Sequence, residues 1–193
     1  MISRVFGAAV LAAGVSFVPL VQVGPAAAGG VAVNVHNMAF TPAKVQVPVG
    51  GTVTWTFPDK VQHTTTSTQG FWNSGAKSAG GTFSHSFASA GSYSYRCTFH
   101  SMMRGAVNVP VSASGTPSAG WRLRWSTVPG AGGTTFDVQV RRPGSSAWTP
   151  FRTDTTRATA KFNPGLNGKY AVRARTTDGQ NSGWSPLRSV KIT

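Results

Sequence analysis

The sequence alternates apolar and polar residues with a period of two in many short segments, and turn-forming residues separate these segments. Such alternation is typical of β-strands that bury one face, and no segment carries the apolar stripe of an amphipathic helix. The 23 glycines and 12 prolines favour turns between short strands. We therefore predict an all-β chain built from antiparallel β-sandwiches. In the first half, the alternating residues include Val31, Val33 and Val35, then Val53, Trp55 and Phe57, and then Tyr93, Tyr95 and Cys97.

Residues 1–28 have the three parts of a Sec-type secretory signal peptide. Arg4 supplies an early positive charge, an apolar stretch follows, and the segment ends in small residues up to Ala28. Gly14 and Pro19 make the apolar stretch a poor membrane-spanning helix, and no Cys lies near its end to carry a lipid. We expect a secreted protein of the extracellular space or cell envelope, not a lipoprotein, with no transmembrane segment in the mature chain.

The mature chain is predicted to contain two domains, residues 29–111 and residues 119–193, joined by a flexible linker at 112–118. All four His and the one Cys precede the linker, whereas 12 of the 18 Lys and Arg residues follow it. A single Cys excludes an intramolecular disulfide and a zinc ribbon. The chain has no Glu, so a catalytic pair of carboxylates is improbable.

A cluster of metal-ligating residue types occupies one short segment at the end of a predicted strand. Cys97, His100 and Met103 follow one another at intervals of three residues. A thiolate, imidazoles and a weak axial thioether together form the blue-copper arrangement, and His63 at the start of another strand is the candidate for the second imidazole. Met103 is favoured over Met102 as the thioether, and Met102 is expected to pack beside the loop.

Several motifs of the first half carry a resemblance to a known family. They are Phe40-Thr-Pro42, Val49-Gly-Gly-Thr-Val53-Thr-Trp55, Gly91-Ser-Tyr93-Ser-Tyr95-Arg-Cys97, and the segment from His100 to Gly105. Residues 31–111 resemble the small blue-copper proteins, the cupredoxins of plastocyanin, amicyanin and pseudoazurin type. The resemblance implies a Greek-key cupredoxin β-sandwich that binds one type 1 copper ion through His63, Cys97, His100 and Met103.

Two residues depart from the family pattern, and other aromatic residues have simpler interpretations. Ser101 stands where many relatives have Pro, and Thr64 where several have Asn; neither change removes a ligand. His85 alternates with Phe83 and Phe87 and is expected to face the same core. Trp55, Phe57, Tyr93 and Tyr95 are interpreted as core residues rather than electron relays.

Residues 119–193 look like a fibronectin type III domain, which implies a second β-sandwich used for spacing or adhesion. The resemblance is carried by Phe136-Asp-Val-Gln-Val140, by Tyr170-Ala-Val-Arg-Ala174-Arg and by Ser182-Gly-Trp184-Ser-Pro186. Arg173 and Arg175 either stack on Trp184 or contact a polyanion. Arg141, Arg142, Arg152 and Arg157 are the stronger candidates for contact with a polyanionic cell-envelope polymer, and no specific nucleic acid is expected.

The leading functional hypothesis is a one-electron carrier that cycles between Cu(I) and Cu(II) and exchanges electrons with a redox partner protein. Two alternatives use the same residues: extracellular copper buffering or delivery to a copper acceptor, and envelope adhesion with a secondary copper site. An enzyme is not expected, because only His36 and His85 remain for a further metal centre after His63 and His100 are assigned.

Overall fold

The computed structural model describes residues 30–193, which form sixteen β-strands and no helix. The prediction of an all-β chain is therefore confirmed for this part of the molecule. The predicted signal peptide, residues 1–28, lies outside the described residues. Among residues 30–193, no helix has the length and apolar character needed to cross a membrane.

The N-terminal half is a sandwich of two four-stranded sheets. Its strands are β1 (Gly30–His36), β2 (Ala39–Thr41), β3 (Lys44–Gln46), β4 (Thr52–Phe57), β5 (Thr66–Ser67), β6 (Gly81–Ser86), β7 (Gly91–Arg96) and β8 (Arg104–Val109). One sheet has the order β2-β1-β4-β6 and the other β3-β8-β7-β5. The β1–β4 and β3–β8 pairs are parallel. The expectation of antiparallel pairing is wrong at these two pairs. They join strands that are not consecutive, and a period-two pattern carries no information on such pairing.

The core of this sandwich consists of the residues that the alternation predicts to face inward. Val33, Val53 and Trp55 are fully inaccessible to solvent, and Phe57 and Tyr95 are 1% exposed. Burial of a large apolar side chain stabilises the fold by about 1.5–3 kcal/mol. The inward face of β7 continues to Cys97, so the packed core extends to the metal-ligating loop.

The segment predicted to be a linker is partly a strand. Residues Ser112–Thr116 form β9, which pairs antiparallel with β10 (Gly120–Arg124). Val111 is 1% exposed in the C-terminal core, and Ala113 packs against the same core. The chain therefore enters the second sandwich directly, without a free connection after residue 111.

The C-terminal half contains a second pair of sheets around its own core. The remaining strands are β11 (Thr135–Arg141), β12 (Thr149–Thr155), β13 (Thr159–Phe162), β14 (Gly168–Asp178), β15 (Gln180–Asn181) and β16 (Arg188–Ile192). One sheet has the order β13-β10-β9; the other has the order β12-β11-β14-β15, with β16 also paired to β14. Leu123, Trp125 and Val138 lie fully buried between the sheets.

The two halves are joined by backbone hydrogen bonds near the start of β7. The Ala90 N–H donates to the Trp125 carbonyl oxygen at 2.7 Å. Ser92 and Gly183 exchange two N–H···O bonds of 2.9 and 2.8 Å, as in an isolated β-bridge. This contact fixes the start of β7 against the second sandwich, while Cys97 follows the other end of the same strand.

Candidate metal centre

The ligand-bearing loop is a tight connection between β7 and β8. Arg96 pairs with Arg104 across the two strands, so residues 97–103 form the whole connection. Within it, the Cys97 N–H donates to the Met103 carbonyl oxygen at 3.1 Å, and the Met103 N–H donates to the His100 carbonyl oxygen at 3.0 Å. These bonds fix the backbone from which the candidate ligands Cys97, His100 and Met103 project.

His63 is held on a different segment by an equally well-defined set of bonds. Its N–H donates to the Lys77 carbonyl oxygen and its own carbonyl oxygen accepts from the Lys77 N–H, both at 2.8 Å. Two residues further on, the Thr65 N–H donates to Ser74 Oγ at 2.8 Å. Because the backbone is bonded at His63 and at Thr65 and the His63 side chain is fully buried, the ring has little freedom to move.

The structure brings His63, Cys97 and His100 together. Cys97 Sγ lies 3.5 Å from His100 Nδ1 and 4.0 Å from His63 Nδ1, and all three donor atoms lie within 4.8 Å of one another. Metal–ligand distances of about 2.0–2.3 Å separate neighbouring imidazole and thiolate donors by about 3.5–4 Å. The separations therefore fit a single ion bound to these three atoms.

The site is buried on one side and open on the other. His63 is fully buried and Cys97 is 1% exposed, whereas His100 is partly exposed. Next to His100, Phe99 is 53% exposed and Met102 is 79% exposed. The His100 ring is consequently the part of the site that reaches the protein surface.

Asp59 faces the far side of the His63 ring. Its Oδ2 lies 3.6 Å from His63 Nε2, which is too long for a hydrogen bond, and accepts a bond of 2.8 Å from the Asn37 N–H. The pKa of His63 is lowered, first by burial and then by His100, while Asp59 opposes this change. A neutral ring with its proton on Nε2, towards the carboxylate, leaves the Nδ1 lone pair directed at the other ligands.

Thr64 ties the two ligand-bearing segments together. Its N–H points at Cys97 Sγ at 3.4 Å, and its Oγ1 accepts a bond of 2.9 Å from the Thr98 N–H. The sequence identified Thr64 as a departure from the family pattern without assigning it a contact. The Thr64 side chain is shorter than the asparagine of several relatives, but it still reaches Thr98, the residue after Cys97.

The two adjacent methionines have opposite environments. Met103 is 2% exposed and belongs to the N-terminal core, in agreement with its position on the inner side of the loop. The expectation that Met102 packs beside the loop is wrong, because its side chain is 79% exposed. Met102 belongs to the turn at residues 101–102, where its side chain projects into solvent, whereas Met103 follows the turn and enters the core.

The aromatic residues and His85 occupy the positions expected from the alternation. Trp55, Phe57, Tyr93 and Tyr95 are all at most 3% exposed. The His85 ring stacks on Trp72 with ring centroids 5.1 Å apart. The four aromatic side chains are packed in the core of the first sandwich, and the half-buried His85 packs against the core residue Trp72.

Several arginines of the second half are engaged by aromatic rings. Arg173 lies 4.1 Å from the Trp148 ring and 4.5 Å from the Trp184 ring, and Arg175 lies 4.9 Å from Trp184. The stacked interpretation of Arg173 and Arg175 is confirmed. Arg141 stacks on Trp148 as well, which the sequence did not predict because these two residues are on different segments. Arg152 covers Phe151.

A family model for copper-binding proteins matches the N-terminal half, and the chain is similar to several solved cupredoxins. The family model described as copper binding proteins, plastocyanin/azurin family, matches residues 27–110. A solved structure of an amicyanin mutant in its reduced state is 31% identical; the match covers 42% of this chain and 82% of that chain, with a TM-score of 0.40. A purple cupredoxin from Nitrosopumilus maritimus is also 31% identical, with coverage of 41% and 98% and a TM-score of 0.39. None of the curated proteins compared with the chain matches it.

The donor chemistry identifies the ion. One thiolate and two imidazoles are soft and borderline ligands, and a trigonal set of this kind is the first coordination sphere of blue-copper sites. His63, Cys97 and His100 supply such a set from two rigid segments. Over residues 27–110 the chain therefore belongs to the plastocyanin/azurin family of copper-binding proteins, and these three residues form the site of its one type 1 copper ion.

Proposed function

We propose that the protein is a secreted one-electron carrier. The observation that carries the proposal is the convergence of His63, Cys97 and His100 within 4.8 Å, with only His100 reaching the surface. When bound, copper supplies a reversible one-electron couple between Cu(I) and Cu(II). Secretion rests on the signal-peptide pattern of residues 1–28, and a mature protein that starts at Gly29 is the expected result of N-terminal sequencing.

The protein's part is to hold the donor atoms in one arrangement for both oxidation states. The Lys77 bonds fix the His63 backbone, and the Met103 and His100 backbone bonds fix the loop. The Thr64 contacts with Cys97 and Thr98 lock the two segments to each other. A site that changes little on electron gain or loss has a low barrier to electron transfer.

Met103 would supply a weak thioether ligand to the copper ion. Its side chain is 2% exposed, and its backbone N–H is bonded to the carbonyl oxygen of His100. A long thioether contact tunes the reduction potential of a trigonal blue-copper site without dominating its geometry. Met102 is unsuited to this position because it projects into solvent.

The exposed side of the site is suited to a redox partner protein. Phe99 and Met102 place apolar surface on either side of His100 in the sequence. Apolar, aromatic and methionine-rich surfaces allow close approach of a partner without the desolvation of charges. An electron would pass between the two proteins through the His100 ring.

The test is the visible spectrum and electrochemistry of the copper-loaded protein. We expect an intense thiolate-to-copper band and a reversible one-electron wave, and Cys97→Ser should abolish the band. Met103→Leu should keep the band and raise the potential, because a donor that stabilises Cu(II) is removed. Met102→Leu is the matched control and should leave the potential unchanged. A colourless copper-loaded protein would contradict the proposal.

Copper delivery to an acceptor protein is the second candidate function. The observation in its favour is the exposed Met102 thioether close to His100 in the loop, since thioethers are good ligands for Cu(I) at a transfer site. Rapid electron self-exchange with no loss of copper to an acceptor favours the carrier. Fast transfer of Cu(I) to an acceptor apoprotein, abolished by Met102→Leu, favours delivery.

A further inference from the structure

A cleft of about 360 Å³ lies between the two sandwiches, away from the ligand loop. The first sandwich contributes residues of β6 and β7 and the residue Phe71, and the second contributes the loop before β11 and the end of β14. The volume is within the range of small-molecule sites, which often occur between domains. The cleft exists only because the halves are docked, and the metal centre does not use it.

The walls on the side of the first sandwich are aromatic. Phe71 packs edge-on against Tyr93 with ring centroids 4.9 Å apart, and Tyr93 packs against Phe87 at 5.2 Å. His85 also lines the cleft, and its ring is held flat against Trp72. Facing these rings, Phe136 is 2% exposed and Val128 is 58% exposed. A planar ring would find apolar contacts on both sides of this cleft.

The charge of the cleft is opposite to that of the protein. The chain carries 18 Lys and Arg residues against four acidic residues. Among the residues that line the cleft, there is no Lys or Arg, and Asp178 supplies one exposed carboxylate. Burial lowers the pKa of His85, so this imidazole is neutral at pH 7 and adds no positive charge. An organic cation is therefore favoured at this place, whereas the protein as a whole attracts anions.

We propose that this cleft binds a small arylalkylammonium ion, with the aromatic ring between the two sandwiches and the ammonium group paired with Asp178. The partly exposed Phe71 ring lines the same cleft and would add a cation–π attraction for the ammonium group. This inference is independent of the proposed electron-carrier function.

Three probes of matched shape test the proposal: phenethylamine, 2-phenylethanol and 3-phenylpropanoate. Each is titrated into the full-length protein loaded with Cu(I), and binding is followed by amide chemical shifts. We expect phenethylamine to bind at least tenfold more tightly than 3-phenylpropanoate, with 2-phenylethanol between them. The shifted amides should be those of the cleft, such as Phe71, His85 and Asp178. n-Butylamine should bind more weakly than phenethylamine, because it lacks the ring.

Two variants and one matched control locate the site. Asp178→Asn should remove the preference for the cation, while Asp154→Asn, on an exposed residue that does not line the cleft, should leave it intact. Ala131→Trp changes an exposed residue at the cleft and should block all three probes by filling the space.

Three outcomes would overturn the proposal. They are equal or tighter binding of 3-phenylpropanoate, an unchanged affinity for phenethylamine in the Ala131→Trp variant, and amide shifts confined to the His100 loop. Because the Ala131 and Asp178 side chains are exposed, these substitutions leave both cores intact, and a far-ultraviolet spectrum checks the fold of each variant.

Discussion

The hydroxyl oxygen of Thr64 is a main contact between the segment that carries His63 and the segment that carries Cys97. That oxygen accepts the Thr98 N–H at 2.9 Å and also contacts Thr66 Oγ1 at 3.0 Å. The side chain is 4% exposed, so water cannot readily replace it. Its loss would leave the Thr98 N–H and the Thr66 hydroxyl without this acceptor beside the metal centre.

We predict that Thr64→Val lowers the free energy of unfolding of the copper-free protein by about 1–3 kcal/mol, because a valine of similar shape leaves the Thr98 N–H unsatisfied. Chemical denaturation measures the change. Thr54→Val is the control, since Thr54 Oγ1 bonds only Ser84 Oγ in an exposed pair, and its loss should cost less than about 1 kcal/mol. Equal effects of the two substitutions would contradict a special role for Thr64.

The ligand residues could be predicted from the sequence because their types are rare. The chain has one Cys and four His, so Cys97 and His100 in one segment leave few other residues that could bind a soft metal ion. The contacts around them could not be predicted in the same way. Threonine and aspartate are common surface residues, and only the folded backbone brings Thr64 next to Thr98 and Asp59 next to Asn37.

At the scale of secondary-structure elements, β9 is a strand that hydrophobic periodicity does not predict. Ser112, Ser114 and Gly115 give no apolar signal, so small polar residues suggest a linker. The strand is specified instead by pairing with β10, in which Ala113 lies opposite Leu123 and Ser114 opposite Arg122. Backbone hydrogen bonds of this kind depend on the partner strand rather than on the strand's own side chains.

We predict that the amides of β9 are protected from hydrogen exchange. Peptides covering Ser112–Thr116 should exchange more slowly than unpaired segments but faster than Gly120–Arg124, because β9 is bonded only to β10, whereas β10 lies between β9 and β13. Exchange followed by mass spectrometry measures this. The turn at residues 143–147, outside any strand, provides the comparison within the same molecule. Exchange of β9 as rapid as that of this turn would restore the linker interpretation.

The stack of arginines on tryptophans is a second feature that the sequence pattern predicts only in part. Alternation along β14 predicts that Arg173 and Arg175 share one face, and Trp184 is close in sequence. Trp148 precedes β12, and its place between Arg141 and Arg173 follows only from the order of strands in the sheet. The stack occupies three arginines and Arg152 lies on Phe151, which leaves Arg142 and Arg157 as the exposed members of the predicted polyanion surface.

At the scale of the whole molecule, β7 has a different role at each end. Its first residues contact the second sandwich, and Cys97 follows its last residue. Tyr93 and Cys97 are four residues apart, or about 13 Å along an extended strand. The second sandwich is therefore docked away from the ligand loop, so the His100 surface remains open to a partner. The docking residues Ser89, Tyr93 and Thr176 form no recognisable sequence motif, so their contact could not be predicted.

The hydroxyl of Tyr93 is the centre of that docking contact. It donates to the Ser89 carbonyl oxygen at 2.9 Å and lies 3.3 Å from Thr176 Oγ1, while Thr176 Oγ1 lies 2.8 Å from Ser89 Oγ. Tyr93 is 3% exposed. Burial raises the pKa of Tyr93 above its ordinary value of 10.0, although the bonds with Ser89 and Thr176 partly oppose this change.

This arrangement predicts a loss of stability at alkaline pH. The unfolded chain ionises Tyr93 near pH 10.0, whereas the folded chain keeps the proton to higher pH. Below pH 10 Tyr93 is protonated in both states, and its full contribution to stability is present. Above pH 10 the unfolded state binds fewer protons than the folded state, so the free energy of unfolding falls as pH rises. We expect the free energy of unfolding, measured by urea denaturation, to fall less steeply between pH 9.5 and 11 in the Tyr93→Phe variant than in the wild type. This difference in slope is expected whatever the difference in stability at pH 7. Parallel curves for the two proteins would show that Tyr93 ionises freely in the folded state, and the buried contact between the sandwiches would then have to be abandoned.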